Sequence, residues 1–95
     1  MVHGYGGSST LFFQQIKSLS ENHKVVLFDI IGMGASGRPS DFNYQGMSAE
    51  QVVDYFVQYF ERWRDALKLE KFFLVGHSLG GYLSGLYTVK YPERV

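Results

Sequence analysis

One stretch of the sequence decides the fold: Phe72-Phe73-Leu74-Val75-Gly76-His77-Ser78-Leu79-Gly80-Gly81. It places the pattern Gly-x-Ser-x-Gly between a short apolar run, typical of a buried strand, and a stretch that reads as a helix. A sharp strand-to-helix turn lifts the serine Oγ above the sheet, close to the N-terminus of the next helix. Gly76 and Gly80 are needed because a Cβ at either position would collide as strand and helix close around a strained serine. We therefore predict that Ser78 is a nucleophile.

A second glycine-rich segment, His3-Gly4-Tyr5-Gly6-Gly7, lies near the start of the chain. A serine that attacks an acyl group needs two N–H donors for the oxyanion that forms. We predict that the backbone N–H of Leu79, the first residue after the serine, is one donor and that the backbone N–H of Tyr5 is the other. Taken separately, each motif has a simpler interpretation: this segment is typical of a tight turn, and the serine motif is typical of a glycine-rich helix start. Their combination favours a catalytic interpretation.

Two short runs of β-branched and aromatic residues predict strands, Val25–Phe28 and Phe72–Val75. Met1 and Val2 read as the end of another strand. Strands that alternate with helices form parallel sheets, and helices then cover both faces of the sheet. The sequence therefore predicts an α/β fold with a mostly parallel sheet whose strands are buried on both faces.

Three stretches predict helices. Ser48–Leu67 carries apolar residues at helical spacing with charged residues elsewhere around the turn, which is typical of an amphipathic helix. Ser48, followed three residues later by Gln51, fits a capping box at its start. The stretches Thr10–Leu19 and Leu79–Tyr91 also read as helices, and the second is followed by a proline.

The two ends of the sequence suggest a partial domain. Met1 and Val2 look like the tail of a strand, and Glu93, Arg94 and Val95 stop where a next strand should begin. A parallel sheet of three strands would expose hydrophobic edges, which native proteins avoid. We therefore expect residues 1–95 to be part of a larger domain, truncated at both ends.

These motifs make the sequence similar to the α/β-hydrolase superfamily. The segments His3–Gly7, Asp29–Ser36 and Gly76–Gly81 follow the order and rough spacing of motifs at that family's third, fourth and fifth strands. The resemblance implies the central part of an α/β-hydrolase fold, from the tail of strand 3 to the helix after the nucleophile elbow. Here the elbow is Gly76–Gly80, and the oxyanion loop is His3–Gly7.

A narrower resemblance is to the lysophospholipase-like branch, which includes an N-acylphospholipid lipase and a lipid-droplet lipase coactivator. It is carried by Gly32–Pro39 with Phe42, by the Trp63-Arg64 pair and by Tyr91–Val95. The coactivator type lacks a serine at the elbow, whereas Ser78 places this chain on the catalytic side. The resemblance implies a serine esterase or lipase that forms an acyl-serine intermediate on a small-molecule or lipid ester and needs no cofactor.

The same resemblance implies a cytoplasmic or lipid-associated location, with a membrane or lipid-droplet surface as a candidate partner. The alternative is a non-catalytic member of the same fold that binds or regulates a lipase. A further alternative comes from Gly32-Met33-Gly34-Ala35-Ser36-Gly37, which matches the G-x-G-x-x-G pattern of dinucleotide-binding domains. That pattern requires a helix to open at its third glycine, yet Arg38–Tyr44 reads as loop. We expect Asp29, just before it, to bind loop backbone.

No histidine follows Ser78, although the triad of this fold runs serine, acid, histidine along the chain. We therefore expect the base and the acid to lie outside residues 1–95, and these residues alone to be inactive. We expect His3 to support the oxyanion loop, His77 to be a buried packing residue and His23 to lie in a solvated turn. Three scattered histidines without ligand spacing do not indicate a metal site.

Charge and composition exclude other classes of protein. Nine Lys and Arg residues balance nine Asp and Glu residues, so no net charge attracts nucleic acid. The sequence contains no cysteine, which excludes a disulfide scaffold and a cysteine nucleophile in this stretch. Its apolar runs are far shorter than the ~20 residues that a transmembrane helix requires. We expect neither a nucleic-acid partner nor a transmembrane segment.

Overall fold

Helices and extended segments alternate along the chain. The computed structural model describes residues 1–95. Its α-helices are α1 (Phe13–Ser20), α2 (Ala49–Ala66) and α3 (Leu79–Lys90), and short 3₁₀ helices lie at Ser9–Phe12, Tyr44–Gly46 and Pro92–Arg94. All three predicted helices are present, with the first one divided into a 3₁₀ turn and α1. None of the helices combines the length and the apolar character that a membrane crossing demands.

Three extended segments, residues 1–3, 24–30 and 72–77, run parallel to one another. Val2 lies between the other two and forms parallel bridges with Phe28 on one side and Gly76 on the other. Its N–H donates to the carbonyl of Val75 at 2.8 Å, and its carbonyl accepts from the N–H of His77 at 3.0 Å. The segment that contains the oxyanion loop is therefore central and lies directly beside the segment that leads to the elbow.

Few residues of the predicted strands are paired within residues 1–95. Val25–Phe28 and Phe72–Val75 are extended, but each segment has a single bridged residue. Within residues 1–95 the central segment comprises residues 1–3, and its bridges to both neighbours are made by Val2. The last contact at its start is made by the N-terminal amine of Met1, which donates to the carbonyl of Val26 at 2.8 Å.

Only one face of the third segment is covered. Phe72 and Leu74 pack against the core, whereas Phe73 is 89% exposed and Val75 is 47% exposed. Successive side chains of an extended segment point to opposite faces, so the covered face is the one that bears α2 and α3. The expected burial on both faces is therefore wrong for this segment within residues 1–95.

The core lies between the extended segments and two helices that pack side by side, α2 and α3. Its six buried hydrophobic residues are Val2, Ile30, Val57, Phe60, Leu83 and Tyr87. The rings of Phe60 on α2 and Tyr87 on α3 stack with centroids 4.2 Å apart. Trp63 packs on Phe28 at 4.3 Å. Aromatic rings bury more apolar area than other side chains, so these pairs join both helices to the sheet.

The start of α2 is fixed by the predicted capping box. The N–H of Gln51 donates to the Ser48 Oγ at 3.2 Å, and the N–H of Ser48 donates to the Gln51 Oε1 at 2.8 Å. Two helix-end donors are thereby satisfied by side chains of the same turn. The predicted helix Ser48–Leu67 is confirmed as Ala49–Ala66, with its two flanking residues as caps.

The end of α2 is a Schellman motif. The N–H of Lys68 donates to the carbonyl of Asp65, and the N–H of Leu69 donates to the carbonyl of Arg64. Lys68 adopts a φ of 54°, a left-handed conformation that this motif requires and that glycine adopts at least cost. The chain leaves the helix there and turns toward the third extended segment.

A partly buried carboxylate, that of Glu61, joins α2 to α3. Arg64 donates two hydrogen bonds to the carboxylate of Glu61, at 3.0 and 2.9 Å, and the hydroxyl of Tyr87 donates a third. Burial alone would raise the pKa of Glu61, but the hydrogen bonds from Arg64 and Tyr87 outweigh it, so that this pKa lies below its ordinary value. The carboxylate therefore stays charged and bonded at neutral pH.

Candidate active site

Ser78 lies at the turn between the third extended segment and α3. Its φ of 54° and ψ of −123° place it in a strained region for a residue with a side chain. It is the N-cap of α3, but its side chain forms no capping hydrogen bond. The residue is exposed. The backbone therefore holds the hydroxyl at the surface without engaging it, as the sequence predicted for an elbow.

Two glycines allow the turn to close. A Cβ on Gly76 would lie 2.6 Å from the carbonyl carbon of Gly80 and 2.6 Å from the Ser84 Oγ. A Cβ on Gly80 would lie 2.6 Å from the carbonyl carbon of Val2. The collision expected at Gly76 is confirmed, whereas at Gly80 the obstacle is the backbone of the central segment. Gly80 therefore lets α3 approach the segment that leads into the oxyanion loop.

The oxyanion loop lies against the elbow. Its carbonyl at Gly4 accepts a hydrogen bond from the N–H of Gly7 at 3.1 Å, which closes a four-residue turn. Gly6, the third residue of the turn, has a φ of 68°, as a type II turn requires. A Cβ on Gly4 would lie 3.0 Å from the Cβ of Ser78. The structure thus brings together the two glycine-rich motifs that the sequence separates by about 70 residues.

Tyr5 and Leu79 lie on the two segments that meet at Ser78. Neither residue's backbone N–H donates a hydrogen bond within the chain. Leu79 is the first residue of α3, where helical N–H groups have no partner inside the helix. The side chain of Tyr5 is 85% exposed and points away from the core. Both amides predicted as oxyanion donors are therefore unpaired.

His3 is fully buried beneath this loop. Its Nε2 accepts a hydrogen bond from the N–H of Ile30 at 2.9 Å. Its Nδ1 therefore carries the hydrogen and donates to the carbonyl of Gly4, 2.8 Å away. With both ring nitrogens bonded to backbone, His3 supports the loop, as expected, and is not available as a base for Ser78.

His77 is exposed, so the expectation that it packs in the core is wrong. The reason is alternation: His77 shares a face with Phe73 and Val75, the face that α2 and α3 do not cover. His23 is exposed in a turn, as expected. None of the three histidines forms a hydrogen bond with Ser78, so a base for this serine is not assembled within residues 1–95.

The whole chain can be assigned to a family. Residues 1–95 match the sequence profile described as the alpha/beta hydrolase fold. The chain belongs to the α/β-hydrolase family. The match includes the three extended segments and both glycine-rich motifs.

The relatives of this α/β hydrolase include lipid-modifying enzymes. A 1-acylglycerol-3-phosphate O-acyltransferase of Arabidopsis thaliana is 43% identical over all 95 residues, which cover 22% of that protein. A (lyso)-N-acylphosphatidylethanolamine lipase of Mus musculus is also 43% identical, over all of this chain and 27% of its own length. The chain thus spans about a quarter of the curated relatives that it matches.

A solved structure has the same fold. The meta-cleavage product hydrolase of Pseudomonas fluorescens superposes with a TM-score of 0.86 at 32% identity. The match covers 99% of this chain and 33% of that one. The α/β-hydrolase fold predicted from the sequence is therefore confirmed, even though the pairing of its strands within residues 1–95 is limited.

The G-x-G-x-x-G segment of this α/β hydrolase is a closed loop. The N–H of Gly32 donates to the carbonyl of Gly37 at 2.9 Å, and the N–H of Ser36 donates to the carbonyl of Met33 at 3.0 Å. No helix begins there, so the pyrophosphate site of a dinucleotide-binding domain is absent from this segment. The dinucleotide-binding alternative is wrong.

Asp29 binds two backbone segments at once. Its Oδ2 accepts from the N–H of Ala35 at 2.8 Å, within the loop that the sequence predicted. Its Oδ1 accepts from the N–H of Ser9 at 2.6 Å, two residues beyond the oxyanion loop. These N–H groups hold the pKa of the Asp29 carboxyl below its ordinary value. The contact with Ser9 could not be predicted from the sequence, because nothing in a local pattern marks a hydrogen bond to a backbone 20 residues away.

Two apolar cavities lie in the chain, and no residue of the elbow lines either of them. One of about 330 Å³ lies between α2 and the second extended segment, and one of about 390 Å³ lies between the second and third segments. Ser78 lines neither of them. No three His, Cys, Asp or Glu side chains gather closely enough to hold a metal ion. What the residues supply at this site is therefore a hydroxyl and backbone N–H groups.

Proposed function

We propose that this α/β hydrolase is a serine hydrolase whose nucleophile is Ser78. The observation that carries the proposal is the exposed Ser78 hydroxyl on a strained turn, packed against a glycine-rich loop. Backbone strain is typical of a functional site, and here the strained residue has a side chain that forms no capping hydrogen bond. Ser78 is also the N-cap residue of α3, and developing negative charge is favoured at a helix N-terminus.

The proposed reaction is acyl transfer. The Ser78 Oγ attacks the carbonyl carbon of an ester and gives its proton to a general base. The N–H groups of Tyr5 and Leu79 donate to the oxyanion of the tetrahedral intermediate. That intermediate then expels the alcohol, which takes up the proton from the base, and leaves an acyl-serine. Water, or a second alcohol, takes the acyl group from the serine in the last step. The base and its acid partner are proposed to lie outside residues 1–95.

The proposed substrate is a carboxylic ester, with a lipid ester as the first choice. The support is the identity with relatives named as an acyltransferase of 1-acylglycerol-3-phosphate and as a lipase. Hydrolysis and acyl transfer share the acyl-serine and differ in the acceptor that resolves it. Supplying a labelled lysophospholipid with and without an acyl donor separates them, because only transfer yields a diacyl product.

The nucleophile is tested with a fluorophosphonate probe on the full-length gene product that contains residues 1–95. We expect labelling of the wild type, loss of at least 100-fold of that labelling in Ser78→Ala, and wild-type labelling in Ser40→Ala, an exposed serine of a surface loop. Circular dichroism and the thermal midpoint verify that each variant is folded. A folded wild type that is not labelled at Ser78 would overturn the assignment.

A second candidate is a non-catalytic protein that binds or regulates a lipase. The observation in its favour is that none of the three histidines of this chain bonds to Ser78 and that His3 is fully engaged elsewhere. Such a protein would bind its lipase or a lipid surface equally well as wild type and as Ser78→Ala. It would hydrolyse no ester in either form.

A further inference from the structure

The segment from His3 to Ser9, which contains the oxyanion loop, is held at both ends by two consecutive residues of the second extended segment. At the near end, the ring of His3 links the N–H of Ile30 to the carbonyl of Gly4. At the far end, the carboxylate of Asp29 accepts from the N–H of Ser9 at 2.6 Å. Between these ends, Gly4 and Gly7 form the turn hydrogen bond, and Ser8 bonds only to the adjoining 3₁₀ helix, through Thr10 and Leu11. The position of the loop relative to the elbow therefore depends on both anchors.

Asp29 is itself fixed from behind. The N–H of Ala35 binds its second oxygen at 2.8 Å. Gly34 packs directly against this carboxylate: a Cβ on Gly34 would lie 2.5 Å from the Asp29 Cγ. Its φ of 54° is also one that glycine adopts at least cost. Hydrogen bonds from N–H groups to a carboxylate are stronger than those to a neutral acceptor. The closed loop after the second segment thus acts as a support for the carboxylate.

We propose that Asp29 is a positioning residue for the oxyanion loop: it holds the loop through the Ser9 N–H so that the Tyr5 N–H keeps its place beside Ser78. This inference rests on the proposed serine hydrolase function. Oxyanion donors act at 2.7–3.1 Å from the developing charge. A small displacement of the Tyr5 N–H would therefore reduce stabilisation of the transition state more than binding of the substrate. Loss of the anchor should therefore lower kcat and leave KM nearly unchanged.

Three variants break the anchor in different ways, each in the full-length gene product. Asp29→Asn replaces one accepting oxygen with an NH₂ group. Ser9→Pro removes the N–H that donates to Asp29. Proline is tolerated at position 9 because the residue before it, Ser8, is extended. Gly34→Ala pushes a methyl group against the carboxylate. Gly37→Ala, in the same loop, meets nothing within 4 Å and is the matched control.

The measurement is kcat per active site, with sites counted by fluorophosphonate titration so that a loss of folded protein is not mistaken for a loss of rate. We expect about a tenfold or greater fall in kcat for the three variants, less than twofold change in KM, and a parallel loss of affinity for a boronate that mimics the tetrahedral intermediate. Gly37→Ala should behave as the wild type. The double variant Asp29→Asn with Ser9→Pro should be no slower than the slower single variant, because both remove one contact.

Several results would overturn the proposal. If the titrated sites of Asp29→Asn and Ser9→Pro turn over at the wild-type rate, Asp29 has only a structural role. The proposal is also overturned if the variants change KM together with kcat and if the effects of the two single substitutions add in the double variant. Asp29 and Ser9 would then act independently. A wild type without Ser78-dependent turnover refutes the proposed function instead, and the titration of wild type alone distinguishes that failure.

Discussion

Single backbone positions around Ser78 do most to define the site. Ser78 keeps a positive φ because the chain must reverse between an extended segment and a helix within two residues. That reversal is a local event, and the glycines that permit it are adjacent in sequence. This is why the elbow could be predicted from five residues, whereas the exposure of His77 and the contact between Asp29 and Ser9 could not. Those two depend on which face α2 and α3 cover and on how two distant loops meet.

Gly80→Ala should destabilise the protein by about 1–3 kcal/mol, because the added Cβ meets the carbonyl of Val2, which belongs to a hydrogen-bonded backbone and cannot move aside. Gly85→Ala is the matched control in the same helix, where a Cβ meets nothing within 4 Å. It should stabilise by roughly 0.5–1 kcal/mol through helix propensity. Urea unfolding of both variants measures the difference, and equal midpoints would contradict the packing of α3 on the central segment.

At the scale of elements, helices were easier to predict than strands. The apolar periodicity and the capping residues of α2 are local to the helix, so Ser48 and Gln51 predicted where it begins. A strand is defined by its partner, and the run Val25–Phe28 carries a strand pattern without a partner long enough to pair with it. The sequence therefore predicted the order of the elements correctly but did not indicate which of their residues are bridged.

The end of α2 offers a test of element stability. Lys68→Gly should stabilise the protein by about 0.5–1 kcal/mol, because glycine adopts the left-handed conformation of the Schellman motif without the cost that a side chain adds. The same exchange at Lys17, inside α1, should destabilise by a similar amount. Thermal unfolding measures both. A loss of stability in Lys68→Gly would show that the lysine side chain contributes more than its backbone costs.

At the scale of the whole molecule, the cluster around Glu61 connects α2 to α3. Glu61→Gln should lower the free energy of unfolding by about 1–3 kcal/mol at neutral pH, because the charge is lost and one of the two accepting oxygens becomes an NH₂ donor that cannot accept from Arg64. The folded pKa of Glu61 lies below its ordinary value of 4.5, so its contribution is complete above that value and is lost as pH falls through the folded pKa.

The difference in stability between wild type and Glu61→Gln should therefore be constant from pH 6 to 7 and shrink below pH 4.5. Chemical denaturation at a series of pH values measures it. Glu70→Gln, at an exposed glutamate without a hydrogen bond or ion pair, is the control and should show no such trend. A difference for Glu61→Gln that grows on acidification would have the wrong sign for this cluster.

The position of His3 has a consequence for chemical reactivity. His3 is fully buried with both ring nitrogens bonded, while His23 and His77 are exposed. Diethyl pyrocarbonate, which carbethoxylates imidazole nitrogens, should react with the two exposed rings at once. It should reach His3 only when the loop above it opens. The rate of the slow phase of carbethoxylation, assigned to His3 by peptide mass spectrometry, would then measure how often the oxyanion loop opens in a protein that is otherwise folded.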